Sequence, residues 1–182
     1  MIKENILSKI ASGKKLWFIL LDPDKIELNK IDSLFSLINK SNCDYLLVGG
    51  SLINDQKFHE FLKKIKSISK KPIIIFPGNN QQISKNADGL FLLSLISGRN
   101  PDLLIGQHVK SSFKVKDSGL EILPCGYLLI EGSSLTSAVY ISESLPIPRN
   151  KSDIAAATAL AGEQLGLQFI YLDKGSGAES TV

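Results

Sequence analysis

The sequence predicts an α/β protein built on a parallel sheet. Three observations lead there. Short, unbroken apolar runs recur along the chain, as strands buried on both faces require. Stretches with apolar residues at helical spacing separate them. Polar and glycine clusters follow several of the runs directly and punctuate them. The chain has 182 residues, 43% apolar and 21% charged, with a net charge of +3. That is the size and composition of one soluble domain spanning residues 1–182. High aliphatic content with a small net charge excludes disorder. No run approaches ~18 consecutive apolar residues, so a spanning helix is not expected.

Leu16-Trp17-Phe18-Ile19-Leu20-Leu21 reads as a buried first strand, stopped by Asp22-Pro23. Leu28, Ile31, Leu34, Phe35 and Ile38 then recur at helical spacing. Tyr45-Leu46-Leu47-Val48 is a second strand, closed by Gly49-Gly50. Phe58, Phe61, Leu62, Ile65 and Ile68 mark a helix with lysines opposite, and Ile73-Ile74-Ile75-Phe76 a third strand. Only about a dozen residues separate Phe76 from the run Gly89–Leu93, the minimum for a parallel crossover. The third helix is therefore expected to be vestigial or absent. A weaker helix is expected over about 101–116, a fifth strand within Leu120–Ile130, and an Ala-rich helix over about Ser152–Leu165. Phe169–Leu172 is the sixth strand.

Cys43 and Cys125, and His59 and His108, stand far apart with no metal-ligand spacing. Each Cys reads as a small buried hydrophobe in a reducing compartment, and each His as an ordinary surface or helix residue. The N-terminal Met1–Asn5 carries an acidic residue and leads into no signal-like run, so a cytoplasmic setting is expected. Residues 1–71 carry a net charge of +5 and the remainder −2. The densest patch is Lys63, Lys64, Lys66, Lys70 and Lys71. It reads either as a solvated helix face or as a surface for anionic headgroups at a membrane. No basic stripe alternates with aromatics, so nucleic-acid binding is not expected.

The chemistry-bearing residues collect at strand C-termini, where parallel α/β folds bind ligands. They are Asp22-Pro23-Asp24-Lys25, Gly49-Gly50-Ser51, Pro77-Gly78-Asn79-Asn80 and Asp173-Lys174-Gly175-Ser176-Gly177. Asp22 and Asp24 each read as a cap or Asx-turn brace, or as a Mg²⁺ ligand. Ser51, at the next strand's end, suits the second reading. Gly175-Ser176-Gly177 lets backbone N–H groups approach an anion. No Walker motif, GxGxxG fingerprint or nucleophile triad is legible.

In chain order, LLDPDK (20–25), DYLLVGGS (44–51), IFPGN (75–79), ADG (87–89), SLISGRNP (94–101) and YLDKGSGA (171–178) resemble the geranylgeranylglyceryl phosphate synthase family, with its bacterial heptaprenylglyceryl phosphate relatives. The resemblance implies a modified TIM barrel without a regular third helix, of which about six of eight strands lie in this chain. It implies transfer of a prenyl group from its diphosphate to the 3-hydroxyl of sn-glycerol 1-phosphate, with Mg²⁺, in ether-lipid synthesis. By motif, Asp22 and Ser51 would hold the metal. Tyr171, Leu172, Asp173, Lys174, Gly175, Ser176 and Gly177 would hold glycerol phosphate, with Asp173 as base. A homo-oligomer is implied as well.

The chain departs from the family in three ways. Asp173 replaces the usual Glu, Leu20 stands where some relatives carry Lys, and the sequence ends at Val182 where the family continues. At about 31 residues per βα unit, two units (about 60 residues) would be missing. A truncated chain would expose strand edges and weaken its phosphate grip. The competing readings are a phosphate-binding barrel lyase or isomerase, and an inactive fragment.

Overall fold

Apolar β-branched and leucine runs pair in parallel where the sequence places them. The computed structural model describes residues 1–132 and 135–175. Its strands are β1 (Phe18–Leu21), β2 (Tyr45–Val48), β3 (Ile73–Ile75), β4 (Gly89–Ser94), β5 (Glu121–Leu129) and β6 (Phe169–Asp173). Their order in the sheet is the chain order, β1-β2-β3-β4-β5-β6. The helices are α1 (Ile2–Ala11), α2 (Ile31–Lys40), α3 (Asp55–Ile68), α4 (Gln107–Ser118), α5 (Ser137–Ser142) and α6 (Ser152–Gln164). The chain divides into two compact units. Residues 1–91 with 113–122 form the first; 92–112 with the chain from 123 onward form the second.

In the first unit β1, β2, β3 and β4 pair in parallel, with Leu21 opposite Val48, Val48 opposite Ile75, and Ile75 opposite Leu90. Every residue of β2 and β3 is buried. Helix α2 buries Ile31, Phe35 and Ile38, and α3 buries Phe58, Phe61, Leu62 and Ile65. Each such side chain stabilises the fold by roughly 1.5–3 kcal/mol. Asn54 caps α3, its side-chain oxygen accepting from the Lys57 N–H at 3.1 Å. Residues 76–88 contain no helix, as the short spacing requires.

In the second unit β5 and β6 pair in parallel from Cys125 opposite Phe169 to Leu129 opposite Asp173. Leu128, Ile130 and Ile147 form a buried cluster against Ile96, Ala155 and Ala159. Gly162 of α6 and Gly126 of β5 leave room for the Ile96 side chain; a β-carbon on either would lie under 3 Å from its Cδ1.

The first strand departs from expectation. Trp17 is 54% and Leu20 47% exposed, so the apolar run is not covered on both faces, and only Leu21 of β1 is buried. The helix expected over 101–116 starts instead as a π-helical segment, Asp102–Gly106, before α4. A β-carbon on Gly106 would lie 2.5 Å from the Asp102 carboxylate. Helices α1 and α5 were not anticipated. Ile2 and Ile6 of α1 are buried at i, i+4 spacing, and the Glu121 carboxylate accepts from the backbone N–H groups of Ile2 and Lys3, the latter at 2.8 Å. That carboxylate satisfies donors that a helix start leaves unpaired. Both cysteines are free and buried, and burial pushes the Cys125 thiol up to about 12. His59 lies beside Asp55 on α3, and the His108 ring meets the Leu93 carbonyl at 2.8 Å. Within the lysine patch Lys64 pairs with Asp32, Lys66 with Asp88, and Lys71 donates to the Ser41 carbonyl. Three of its five charges therefore serve neighbouring loops and helices.

Asp44 fastens the entrance to β1. Its carboxylate accepts from the Trp17 N–H at 3.1 Å and from Lys9 and Lys14 at 3.0 and 3.3 Å, and its side chain is only 8% exposed. The Trp17 N–H first, then the two ammonium groups, hold its pKa at about 2. An unfolded Asp titrates near ~3.9. The stabilisation is therefore fully present above that value and disappears as pH falls toward 2. Asp44→Asn is expected to lower unfolding free energy by about 1–3 kcal/mol at pH 7. The gap from wild type should close as pH drops through 4 to 2.5, as read by urea denaturation at each pH.

Candidate functional site

In the first unit, the ends of β1, β2 and β3 carry the polar loops. Asp22 follows β1 immediately and forms an Asx turn, its Oδ1 accepting from the Asp24 N–H at 3.0 Å. Its Oδ2 stands 3.3 Å from the Lys25 ammonium. Asp24 braces the neighbouring loop, accepting from the Asn54 N–H at 3.3 Å and lying 3.5 Å from the Lys57 ammonium. The two carboxylates thus divide: Asp24 ties the β1 loop to the start of α3, and Asp22 faces the end of β2.

That adjacency depends on glycine. A β-carbon on Gly50 would sit 3.2 Å from Asp22 Oδ2, so the carboxylate lies against bare backbone. One on Gly49 would fall 1.7 Å from the Phe76 carbonyl oxygen, and one on Gly78 would fall 2.1 Å from the Gly50 oxygen and 3.1 Å from Ser51 Cα. Asp22 therefore lies against Gly50, Gly78 packs on the Gly50 carbonyl, and Ser51 is the next residue in the chain.

The chemistry of this group fits a small hard cation. The Asp22 carboxylate is a hard oxygen donor, and its Oδ2 already faces a cationic group, the exposed Lys25 ammonium. Among the described residues no cluster of three or more His, Cys, Asp or Glu side chains stands ready to hold a metal. One carboxylate with water and phosphate oxygens completing the shell is how Mg²⁺ is commonly held.

In the second unit, β6 presents Tyr171 and Asp173 on one face and Leu172 on the other, as strand alternation dictates. Asp173 Oδ2 accepts a hydrogen bond from the Tyr127 hydroxyl on β5. Tyr127 pairs with Tyr171 across the strands, and their rings stack with centroids 5.9 Å apart and planes 7° from parallel. Burial first, then the Asp173 carboxylate, push the Tyr127 phenol far above its usual range, so it stays a donor at any working pH. Burial raises Tyr171 as well. Lys174 is only 3% exposed. Gly175 has φ +90°, and a β-carbon there would meet the Thr136 hydroxyl at 2.2 Å, so glycine is required by conformation and by space. The Thr136 hydroxyl is buried with no hydrogen-bond partner among the described residues. Ser176 and Gly177, also expected to bind substrate, lie outside the described residues.

Sequence reasoning passed over Tyr127 and Thr136. Tyr127 precedes an apolar run that reads as core, and its partner Asp173 is 46 residues away. Thr136 matters only through its contact with Gly175.

The PcrB family model matches residues 9–182. The chain is 50% identical over 171 residues to a geranylgeranylglyceryl phosphate synthase from Spirosoma linguale, covering 94% of this chain and 69% of that one. It is 39% identical to a protein of the same name from Methanosphaera stadtmanae, over 98% of this chain and 73% of that one. Among solved structures it is similar to (S)-3-O-geranylgeranylglyceryl phosphate synthase from Thermoplasma acidophilum in complex with sn-glycerol-1-phosphate. That similarity has a TM-score of 0.90 and 26% identity, over 99% of this chain and 72% of that one.

The glycine contacts yield a direct test. Gly49→Ala places a methyl group inside the Phe76 carbonyl, and parting two buried strand ends is expected to cost about 1–3 kcal/mol or more. Thermal unfolding should show this loss, whereas Gly13→Ala, with nothing within 4 Å of the added carbon, should show only the smaller penalty of a positive φ.

Proposed function

This chain belongs to the PcrB family, and from that premise we propose that it transfers a prenyl group, the geranylgeranyl group named for its relatives, from an allylic diphosphate to the 3-hydroxyl of sn-glycerol 1-phosphate. The observation that carries the proposal is the Asp173 carboxylate, held by Tyr127 two residues before the Gly175 turn. A base and a backbone cradle for an anion are what a phosphorylated alcohol acceptor needs.

The second unit takes the acceptor. The phosphate of the acceptor is assigned to the backbone at Gly175, and the buried Lys174 adds positive charge nearby. Tyr127 donates to Oδ2 of Asp173, and in this reading the same carboxylate takes the glycerol hydroxyl. As the hydroxyl oxygen bonds to C1 of the prenyl chain, its proton passes to Asp173, and the C1–O bond to the diphosphate breaks with its electron pair leaving on the diphosphate oxygen. Asp173 is shorter by one methylene than the Glu that the family resemblance implies, and the Tyr127 hydrogen bond fixes where that shorter carboxylate ends.

The first unit takes the donor. Asp22 and Ser51 would hold Mg²⁺, which neutralises charge on the departing diphosphate when bound. Asp24 and Lys57 keep the loop that carries Asp22 in register with α3. Residues 1–182 are read as one prenyltransferase domain. Free, buried cysteines favour a reducing, cytoplasmic setting. No helix among the described residues is long and apolar enough to cross a membrane. Lys63 and Lys70, outside the patch's ion pairs, are the charges offered to an anionic membrane surface that holds the prenyl substrate. A homo-oligomer is proposed on the family resemblance.

Incubation with geranylgeranyl diphosphate and sn-glycerol 1-phosphate, with product identified by mass spectrometry, tests the reading. Asp22→Asn is expected to abolish Mg²⁺-dependent turnover without lowering the melting temperature, because a carboxamide is a poor Mg²⁺ ligand. Asp173→Asn should reduce kcat by about 10²–10⁴-fold, the usual worth of a positioned base, while Asp173→Glu should retain more of the activity. Equal losses in the two Asp173 variants would assign that residue to holding substrate alone.

A further inference from the structure

Beyond the last ladder bond between β2 and β3, from the Phe76 N–H to the Val48 carbonyl at 2.8 Å, the two backbones continue too close for side chains. The Gly50 carbonyl, on a half-buried residue, and the Gly78 N–H, on an exposed one packed against it, need partners where the two chains crowd. One side chain supplies both. Gln82 Nε2 donates to the Gly50 oxygen at 3.1 Å, and Gln82 Oε1 accepts from the Gly78 N–H at 3.1 Å. Gln82 itself is 2% exposed. Its backbone is set by the turn from Asn79, whose side-chain oxygen accepts from the Gln81 N–H at 2.9 Å. The primary amide stands in for a peptide group and extends the ladder by one rung.

That rung sits at the proposed cation site. The peptide carrying the Gly50 carbonyl leads directly into Ser51, and Gly50 is the residue against which Asp22 Oδ2 lies. Gly78 packs on the same peptide from the other side, its absent β-carbon 3.0 Å from the Gly50 carbonyl carbon. Gln82 hydrogen-bonds to neither Asp22 nor Ser51, yet it holds the carbonyl of the peptide that runs from Gly50, where Asp22 lies, into Ser51. We propose that Gln82 is the positioning residue of the Asp22–Ser51 site, holding Ser51 at the distance from Asp22 that a cation–diphosphate complex needs. The inference rests on the functional reading above and adds a residue to it.

Two variants separate positioning from bulk stability. Gln82→Met keeps the length and fills the space but removes donor and acceptor. Gln82→Glu keeps the acceptor for Gly78 and sets a carboxylate oxygen against the Gly50 carbonyl. The probe is Mn²⁺ binding to the whole protein with inorganic pyrophosphate, followed by electron paramagnetic resonance, alongside kinetics for both substrates. Both variants are expected to weaken Mn²⁺–pyrophosphate binding by about 10–100-fold, the usual effect of losing a partner that orients metal ligands. They should raise the KM for prenyl diphosphate and leave the KM for sn-glycerol 1-phosphate unchanged. A folded Gln82→Met or Gln82→Glu protein with wild-type Mn²⁺ binding and wild-type diphosphate KM overturns the proposal while leaving the function intact. Should Gln82→Met fail to fold, Gln82→Glu alone decides by the same readouts. Wild-type protein that neither binds Mn²⁺ with pyrophosphate nor forms prenylated product overturns the functional reading, and this proposal with it.

Discussion

Two backbones in contact set the geometry of the first unit. The loops leaving β2 and β3 approach until the Gly49 α-carbon faces the Phe76 carbonyl and Gly78 faces that of Gly50. Peptide groups repel side chains there but not one another, because the glycines remove every atom that would intrude. Asp22 lies against the main chain at Gly50, and Gly78 packs on the carbonyl of that same residue. A rigid contact of this kind defines positions more sharply than a flexible polar loop does, since packed backbone has few alternative arrangements.

The second unit solves a similar problem with rings. Tyr127 and Tyr171 stack across β5 and β6, and one hydroxyl of the pair holds Asp173. A carboxylate two carbons from the chain has few rotamers and limited reach, so its direction follows from whatever grips its oxygen. Stacking fixes the ring, and the ring fixes the acid. Thr136 and Gly175 show the same economy at the following turn, where bare backbone meets a buried hydroxyl.

The second and third strands were legible because their burial is complete. Tyr45–Val48 and Ile73–Ile75 leave no polar position for water, and the residues after Phe76 are too few for a helix. Leu16–Leu21 carries the same signature, but Trp17 and Leu20 show that an apolar run does not guarantee a cover on both sides. Asp22 was legible as a turn former or a cation ligand, and its Asx turn and its adjacency to Gly50 leave both readings physically compatible. Gln82 was not legible. Its two partners are backbone groups 32 and 4 residues away, and backbone groups have no identity in a sequence. Helix α1 escaped for a related reason, since its start is satisfied by a residue from the far end of the first unit.

That last contact has a consequence for the order in which the chain becomes native. The amides of Ile2 and Lys3 find their acceptor in Glu121, 119 and 118 residues further on. During synthesis, with N-terminal residues emerging first, α1 exists for most of the chain's elongation with its opening donors bonded only to water. Ten residues are too few for a stable helix on their own. Helix α1 is therefore secured only after residues made long after it, and Ile2 and Ile6 remain candidates for non-native contacts until β5 has been added. Long sequence separation between the two halves of one cap places its loop-closure cost late in folding. The first turn of α1 acts as a seal on the unit, closed only after β5 has formed.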